Sequence, residues 1–189
     1  VASRKRNGKD DMIEELEKIA SIENLVDKKA YFMSLLTREA EKQNIRPIVV
    51  GGSAVDFYTE GIFPSYDIDL IGSRKVIGEI LEKNFDFKRS GRHWINEKIG
   101  IYVEVPGNHL AGNVDKITTI KVNGLKLYVI GIEDLIIDRM AACSEWKSET
   151  DCKQAQYMLK YYNNRIDFNY LNTKAKDEGL LKVLKKLCV

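Results

Sequence analysis

Ile48-Val49-Val50-Gly51-Gly52-Ser53, followed by Tyr66-Asp67-Ile68-Asp69-Leu70-Ile71, is the stretch on which the fold turns. The first three residues are β-branched and read as a short buried strand. They run into a glycine pair. Ser53 then reads as the N-cap of a short helix over 54–59, with Gly61 closing it just past its end. A second strand covers 66–71. Side chains on a strand alternate between faces, so Asp67 and Asp69 share one face while Ile68 and Leu70 enter the core. Two carboxylates that close repel each other unless a cation lies between them. Hard oxygen ligands of this kind favour Mg²⁺ or Mn²⁺. The glycine turn offers backbone N–H groups to a phosphate, with the Ser53 hydroxyl beside them. The two motifs together imply a site that moves a nucleotide or phosphoryl group.

Upstream, residues 10–22 and 27–44 read as helices. Ala30, Met33, Leu36 and Ala40 recur at three- and four-residue intervals in the second, and Asp27 is its expected N-cap. Arg46-Pro47 ends the helical pattern, because proline disfavours helical geometry at the residue before it. Downstream, 74–84 is helical, with Val76, Ile77, Ile80 and Leu81 on one face. Strands are predicted over 85–89, 92–96 and 99–105, with turns at Ser90-Gly91 and Glu97-Lys98. Strands 117–122 and 125–130 flank Asn123-Gly124, a two-residue hairpin signal. From Glu133 the chain is helical, over 132–145, 149–163 and 167–187, the last broken near Gly179. The expectation is an α+β fold: a central mixed sheet flanked by helices, with N-terminal helices and a C-terminal helical segment. Its divisions are 1–45, 46–131 and 132–189.

A third carboxylate would complete a two-metal site for in-line transfer. Glu104 is the candidate. Ile101, Val103 and Val105 form the apolar face of strand 99–105, and Glu104 shares the other face with Tyr102. An edge strand with one wet face would make Glu104 ordinary, and alternation alone leaves both readings open. Neither a Walker-type Gly-Lys-Ser/Thr loop nor a three-glycine dinucleotide fingerprint is present. His93 and Trp94, in a predicted strand, read as structural. Lys121 and Lys126 read as solvated, and Trp146 as a core aromatic.

In this order, strand, Gly-Gly-Ser, helix, Asp-x-Asp strand, helix and third-acid strand resemble the nucleotidyltransferase superfamily of polymerase β. Val49–Val55 and Gly61–Leu70 look like its small prokaryotic members, including the AbiEii-like toxin group. The segment 131–142, Gly-Ile-Glu-Asp-Leu-Ile-Ile-Asp-Arg-Met-Ala-Ala, resembles a further helix of that group. Arg139 stands where lysine is common there, and Asp151 resembles the acid of the segment that follows. Glu104 stands where aspartate is the commoner choice. The resemblance covers about residues 47–160. It implies an enzyme that transfers a nucleoside monophosphate from an NTP to an acceptor hydroxyl and releases pyrophosphate. Asp67, Asp69 and Glu104 would be the catalytic, metal-holding acids, with Mg²⁺ (or Mn²⁺) as cofactor. Gly51, Gly52, Ser53 and Arg139 would bind the nucleotide. The acceptor is open among an RNA end, a protein and a small molecule. A cognate antitoxin or a second copy of the chain are candidate partners. The alternative is a catalytically inactive nucleotide-binding or scaffolding module of the same fold.

Bulk properties agree with this class. A chain of 189 residues with 44% apolar and 31% charged side chains suits a soluble globular protein. No apolar run approaches the roughly 20 residues of a membrane span. The chain starts at Val1 rather than Met, which leaves room upstream for a natural N-terminus and any targeting peptide. The basic stretch 4–9 reads as a frayed arm. Cys143, Cys152 and Cys188 read as reduced thiols, which places the protein in the cytoplasm. With two histidines the chain has little from which to build a zinc site. Net charge is +2, yet residues 139–189 carry 10 basic and 6 acidic side chains, net +4. That excess tilts the acceptor toward a polyanion such as RNA.

Overall fold

Pro47 separates two N-terminal helices from the sheet, and the sheet is what places the acids. The computed structural model describes residues 8–188; most of the basic stretch 4–9 lies outside them. The order is α1 (Gly8–Ser21), α2 (Leu25–Glu41), β1 (Ile48–Val50), α3 (Gly51–Tyr58), β2 (Asp67–Ile71), α4 (Arg74–Asn84), β3 (Lys88–Ser90), β4 (His93–Asn96) and β5 (Ile101–Gly107). A 3₁₀ turn (Val114–Lys116), β6 (Thr118–Val122), β7 (Leu125–Val129), α5 (Ile132–Glu145), α6 (Glu149–Tyr161), α7 (Phe168–Asp177) and α8 (Leu181–Leu187) follow.

The strands form one mixed sheet in the order β3-β4-β5-β2-β1-β7-β6. β2 is the central strand, and β1 beside it is antiparallel to β2 and parallel to β7. β2 runs parallel to β5, which continues antiparallel into β4 and β3. The inner side chains of this half, Ile68, Leu70, Ile101, Val103 and Val105, are fully or almost fully buried. α2 and α4 pack together on the protein. Phe32 of α2 meets Phe85 edge-on at 5.5 Å and Phe87 at 5.2 Å. Those two phenylalanines, expected in strand 85–89, serve as core anchors instead, and β3 begins only at Lys88. The buried cluster runs on through α5, α6, α7 and α8.

Several local expectations shift. α2 is capped by Asn24, whose side chain accepts from the Asp27 N–H, so the helix starts earlier than an Asp27 cap would allow. α3 starts at Gly51, with Val50 in the cap position, which puts Ser53 inside the helix. Asn123 and Gly124 both take positive φ, 50° and 81°, as the hairpin turn requires. Gly179, at φ 71°, separates α7 from α8.

The thiols require a correction. Cys143 and Cys152 form a disulfide between the end of α5 and the start of α6, with Cα atoms 4.9 Å apart. The short link 146–148 folds α6 back beside α5, so two residues nine apart in sequence become neighbours in space. A compartment inferred from reduced thiols therefore loses that support. Cys188 is unpaired and exposed. Among the described residues no helix is long and apolar enough to cross a membrane.

Candidate active site

Asp67 and Asp69 begin β2 on one face, and both are half-buried while Ile68 between them is fully buried. In the parallel pair β2–β5, Asp69 is the register partner of Glu104. Neighbouring strands lie about 4.8 Å apart, so the Glu104 side chain rises beside Asp69 on the same face. The alternation around Glu104 thus belongs to an interior strand, between β4 and β2, rather than to an edge.

Both acids of β2 are closely held. The Ser65 hydroxyl lies 3.1 Å from both the Asp67 carbonyl and Asp67 Oδ1. Asp69 lies over Gly51: a Cβ at Gly51 would fall 2.9 Å from Asp69 Oδ2, and Gly51 has φ 61°. The glycine is thus required twice, for its left-handed backbone and for the room it leaves the carboxylate. Burial and the neighbouring charges of Asp67 and Glu104 push the Asp69 carboxyl up to about 6, against the pull of Arg139 and Arg92. Burial first, and two neighbouring carboxylates second, thus disfavour the ionised acid, a penalty that a bound cation would relieve.

Ser53 departs from expectation. Its side chain is fully buried. The hydroxyl donates to the Val50 carbonyl at 3.0 Å and accepts from the Asp69 N–H at 3.0 Å. Its one proton is committed within the protein, so the hydroxyl acts as a brace between the glycine turn and β2. The N–H groups of Gly51, Gly52 and Ser53 occupy the first turn of α3, where a helix leaves donors without intrahelical partners. Ser53→Ala leaves the partly buried Asp69 N–H without its acceptor and is expected to destabilise the protein by about 1–3 kcal/mol. Urea unfolding measures this. Unchanged stability with weakened NTP binding would return the hydroxyl to the phosphates.

Arg139 projects from α5 and is mostly buried. Its Nη1 is 2.8 Å from Asp151 Oδ1, and it also pairs with Asp138. The arginine and the acid of the downstream resemblance are therefore partners. Glu133 and Asp134, in the same stretch, are buried braces. Glu133 accepts from the Asp167 N–H at 2.8 Å. Asp134 accepts from the Asn113 N–H at 2.8 Å and the Tyr170 hydroxyl at 2.6 Å.

The structure adds His93 to the face. It lies opposite Glu104 across β4–β5, and single ligand atoms from Asp67, His93 and Glu104 fall within 4.8 Å of one another. These donors fit a divalent cation. The length of the β4–β5 turn decides which residue of β5 His93 faces. A two-residue turn at Glu97-Lys98 would set His93 across from Tyr102. The actual turn takes in 97–100, closed by the Gly100 N–H on the Asn96 carbonyl at 2.9 Å, and slides His93 to Glu104.

Two solved structures share the fold. One is an antigenic nucleotidyltransferase-like protein from Paracoccidioides brasiliensis, with 15% identity, 83% of this chain and 90% of that chain covered, and a TM-score of 0.56. The other is ANT(2")-Ia in complex with adenylyl-2"-tobramycin, with 11% identity, 79% of this chain and 95% of that chain covered, and a TM-score of 0.52. Among curated proteins none matches the sequence. The family model described as "Nucleotidyltransferase of unknown function (DUF6036)" matches residues 25–187. That span takes in the glycine turn, all three acids, His93 and Arg139, and the chain belongs to this nucleotidyltransferase family.

Proposed function

We propose that this chain transfers a nucleoside monophosphate from an NTP to an acceptor hydroxyl at a divalent-metal site formed by Asp67, Asp69 and Glu104. The observation that carries the reading is the row of carboxylates on one sheet face beside the N-terminus of α3. Mg²⁺ or Mn²⁺ bound there would neutralise the acids and the triphosphate and make the acceptor hydroxyl more acidic. The residues of the chain do the rest. Asp67, steadied by Ser65, and Asp69, seated over Gly51, hold the cation. The N–H groups of Gly51, Gly52 and Ser53 receive the β- and γ-phosphates. Arg139 adds positive charge within electrostatic reach of Asp69. Glu104 takes the acceptor proton as the acceptor oxygen bonds to the α-phosphorus. The bond from that phosphorus to the bridging oxygen breaks, and pyrophosphate leaves. Burial and the charges of Asp67 and Glu104 raise Asp69, a cost that a passive scaffold would have no reason to carry.

We favour an RNA end as acceptor. The C-terminal segment carries net +4. A groove of about 790 Å³ there is lined by Phe63, Tyr157, Lys153 and Lys160, and Tyr157 stacks on Tyr161 at 12° between planes. Phe63 lies four residues before Asp67, so the groove adjoins the loop that enters β2. Incubation with each labelled NTP, Mg²⁺ and total cellular RNA or protein tests the reading. Label on RNA is expected. Label on protein or on a small molecule changes the acceptor, and tight NTP binding without any transfer supports the inactive module.

Metal dependence follows from Asp69. Above about 6 its carboxylate is ionised and open to a cation; below, a proton occupies it. Mg²⁺ affinity of the protein alone should therefore be roughly fourfold weaker at pH 5.5 than at pH 7.5, and NTP binding at pH 7.5 should require Mg²⁺. Calorimetry reads both. Equal NTP affinity with and without Mg²⁺ would mean that the phosphates are held another way.

A further inference from the structure

Three acids suffice for the proposed chemistry, yet an imidazole stands among them. His93, Glu104 and Asp69 occupy one row across β4, β5 and β2. His93 Nε2 is 3.3 Å from Glu104 Oε2. That is looser than the roughly 2.7–2.9 Å of a charge-assisted hydrogen bond to a carboxylate. Ligand atoms around one octahedral ion lie about 3–4 Å apart, a spacing that Asp67, His93 and Glu104 reach with small side-chain adjustments from within 4.8 Å. The extra methylene of glutamate matters here. It carries the Glu104 carboxylate toward β4, where both Arg92 and His93 touch the same oxygen. Arg92 is 71% exposed and can swing off that oxygen when a cation arrives.

We propose that His93 is a nitrogen ligand of this metal site, shared with Asp67 and Glu104, and that it biases the site toward Mn²⁺ over Mg²⁺. The proposal rests on the reading of the acids as a metal site. Mg²⁺ prefers an all-oxygen shell and gives up its waters reluctantly. Imidazole suits first-row transition ions, and two carboxylates keep the set oxygen-rich enough for Mn²⁺.

The test uses the tag-free full chain and Mn²⁺, with electron spin-echo envelope modulation reading ¹⁴N coupling to the metal. The sequence contains two histidines, His93 and His109, so assignment needs two variants. Imidazole ¹⁴N coupling is expected in the wild type and in His109→Gln, and its loss in His93→Gln. Mn²⁺ affinity should fall about tenfold or more in His93→Gln, the scale for losing a ligand or its support, while Mg²⁺ affinity stays within about threefold. Mn²⁺ binding that Asp67→Asn abolishes, but without ¹⁴N coupling in the wild type, overturns the role of His93 and leaves the acid site standing. Coupling that survives in His93→Gln and vanishes in His109→Gln overturns it equally. No Mn²⁺ binding, or binding indifferent to Asp67→Asn, removes the metal site and the proposal together.

Discussion

Glu104→Gln is expected to lower single-turnover nucleotidyl transfer by on the order of 100-fold or more while leaving NTP affinity within a few-fold. The substitution keeps the shape of the side chain and removes the charge that would take the acceptor proton. Asp67 and Asp69 remain to hold the cation that the triphosphate needs, so ground-state binding changes little. The expectation rests on position. Glu104 stands beside Asp69 across the β2–β5 pair, on the side away from Gly51 and the start of α3, where the acceptor rather than the triphosphate would approach. Equilibrium NTP binding and single-turnover transfer, measured on the same variant, separate the two roles. Transfer at the wild-type rate would remove Glu104 from the chemistry. A parallel loss of binding would make it chiefly a ligand for the nucleotide's cation.

Much of this site is legible in the sequence, because strand alternation is a local rule. It places Asp67 and Asp69 on one face and Glu104 opposite an apolar row, and Gly51-Gly52 marks the turn into α3. The parts that escaped depend on contacts between distant segments. The Ser53 hydroxyl looks available to a phosphate until β2 presents the Asp69 N–H to it, sixteen residues away. His93 reads as structural because its partner across the sheet is set only by the length of the 97–100 turn. Cys143 and Cys152 look unrelated until α6 folds back on α5. The Asn24 cap is hidden in the sequence for a smaller reason: Asp27 is also a good cap residue, and only the backbone decides which side chain turns back.

Asp56→Ala is expected to destabilise the protein by about 3–5 kcal/mol, the range for removing one partner of a buried ion pair. Asp56 of α3 pairs with Lys29 of α2, and both side chains are only 1% exposed. No local pattern announces this pair, because the partners lie on different helices. Lys29 Nζ also donates to the Ser65 carbonyl at 2.7 Å, and the Ser65 hydroxyl reaches Asp67. One ammonium thus ties α2, the helix of the glycine turn and the loop entering the Asp-x-Asp strand. Truncating Asp56 strands that charge in the core with a single carbonyl for company. The double variant Lys29→Met, Asp56→Leu removes both charges and should recover most of the lost stability, since Asp56 Oδ1 is itself buried without a hydrogen-bond partner and disappears with its charge. It should not recover the site. Without Lys29 the Ser65 loop loses its anchor, Asp67 loosens, and divalent-metal affinity should stay below wild type, by about the tenfold typical of lost support behind a ligand. Urea unfolding and a Mn²⁺ titration on both variants decide the matter. An Asp56→Ala protein that unfolds at the wild-type urea concentration would show that the pair adds nothing to stability. A refolded double variant with wild-type metal affinity would show that the bridge supports the fold alone, leaving Asp67 to be held by Ser65 and the β2–β5 register.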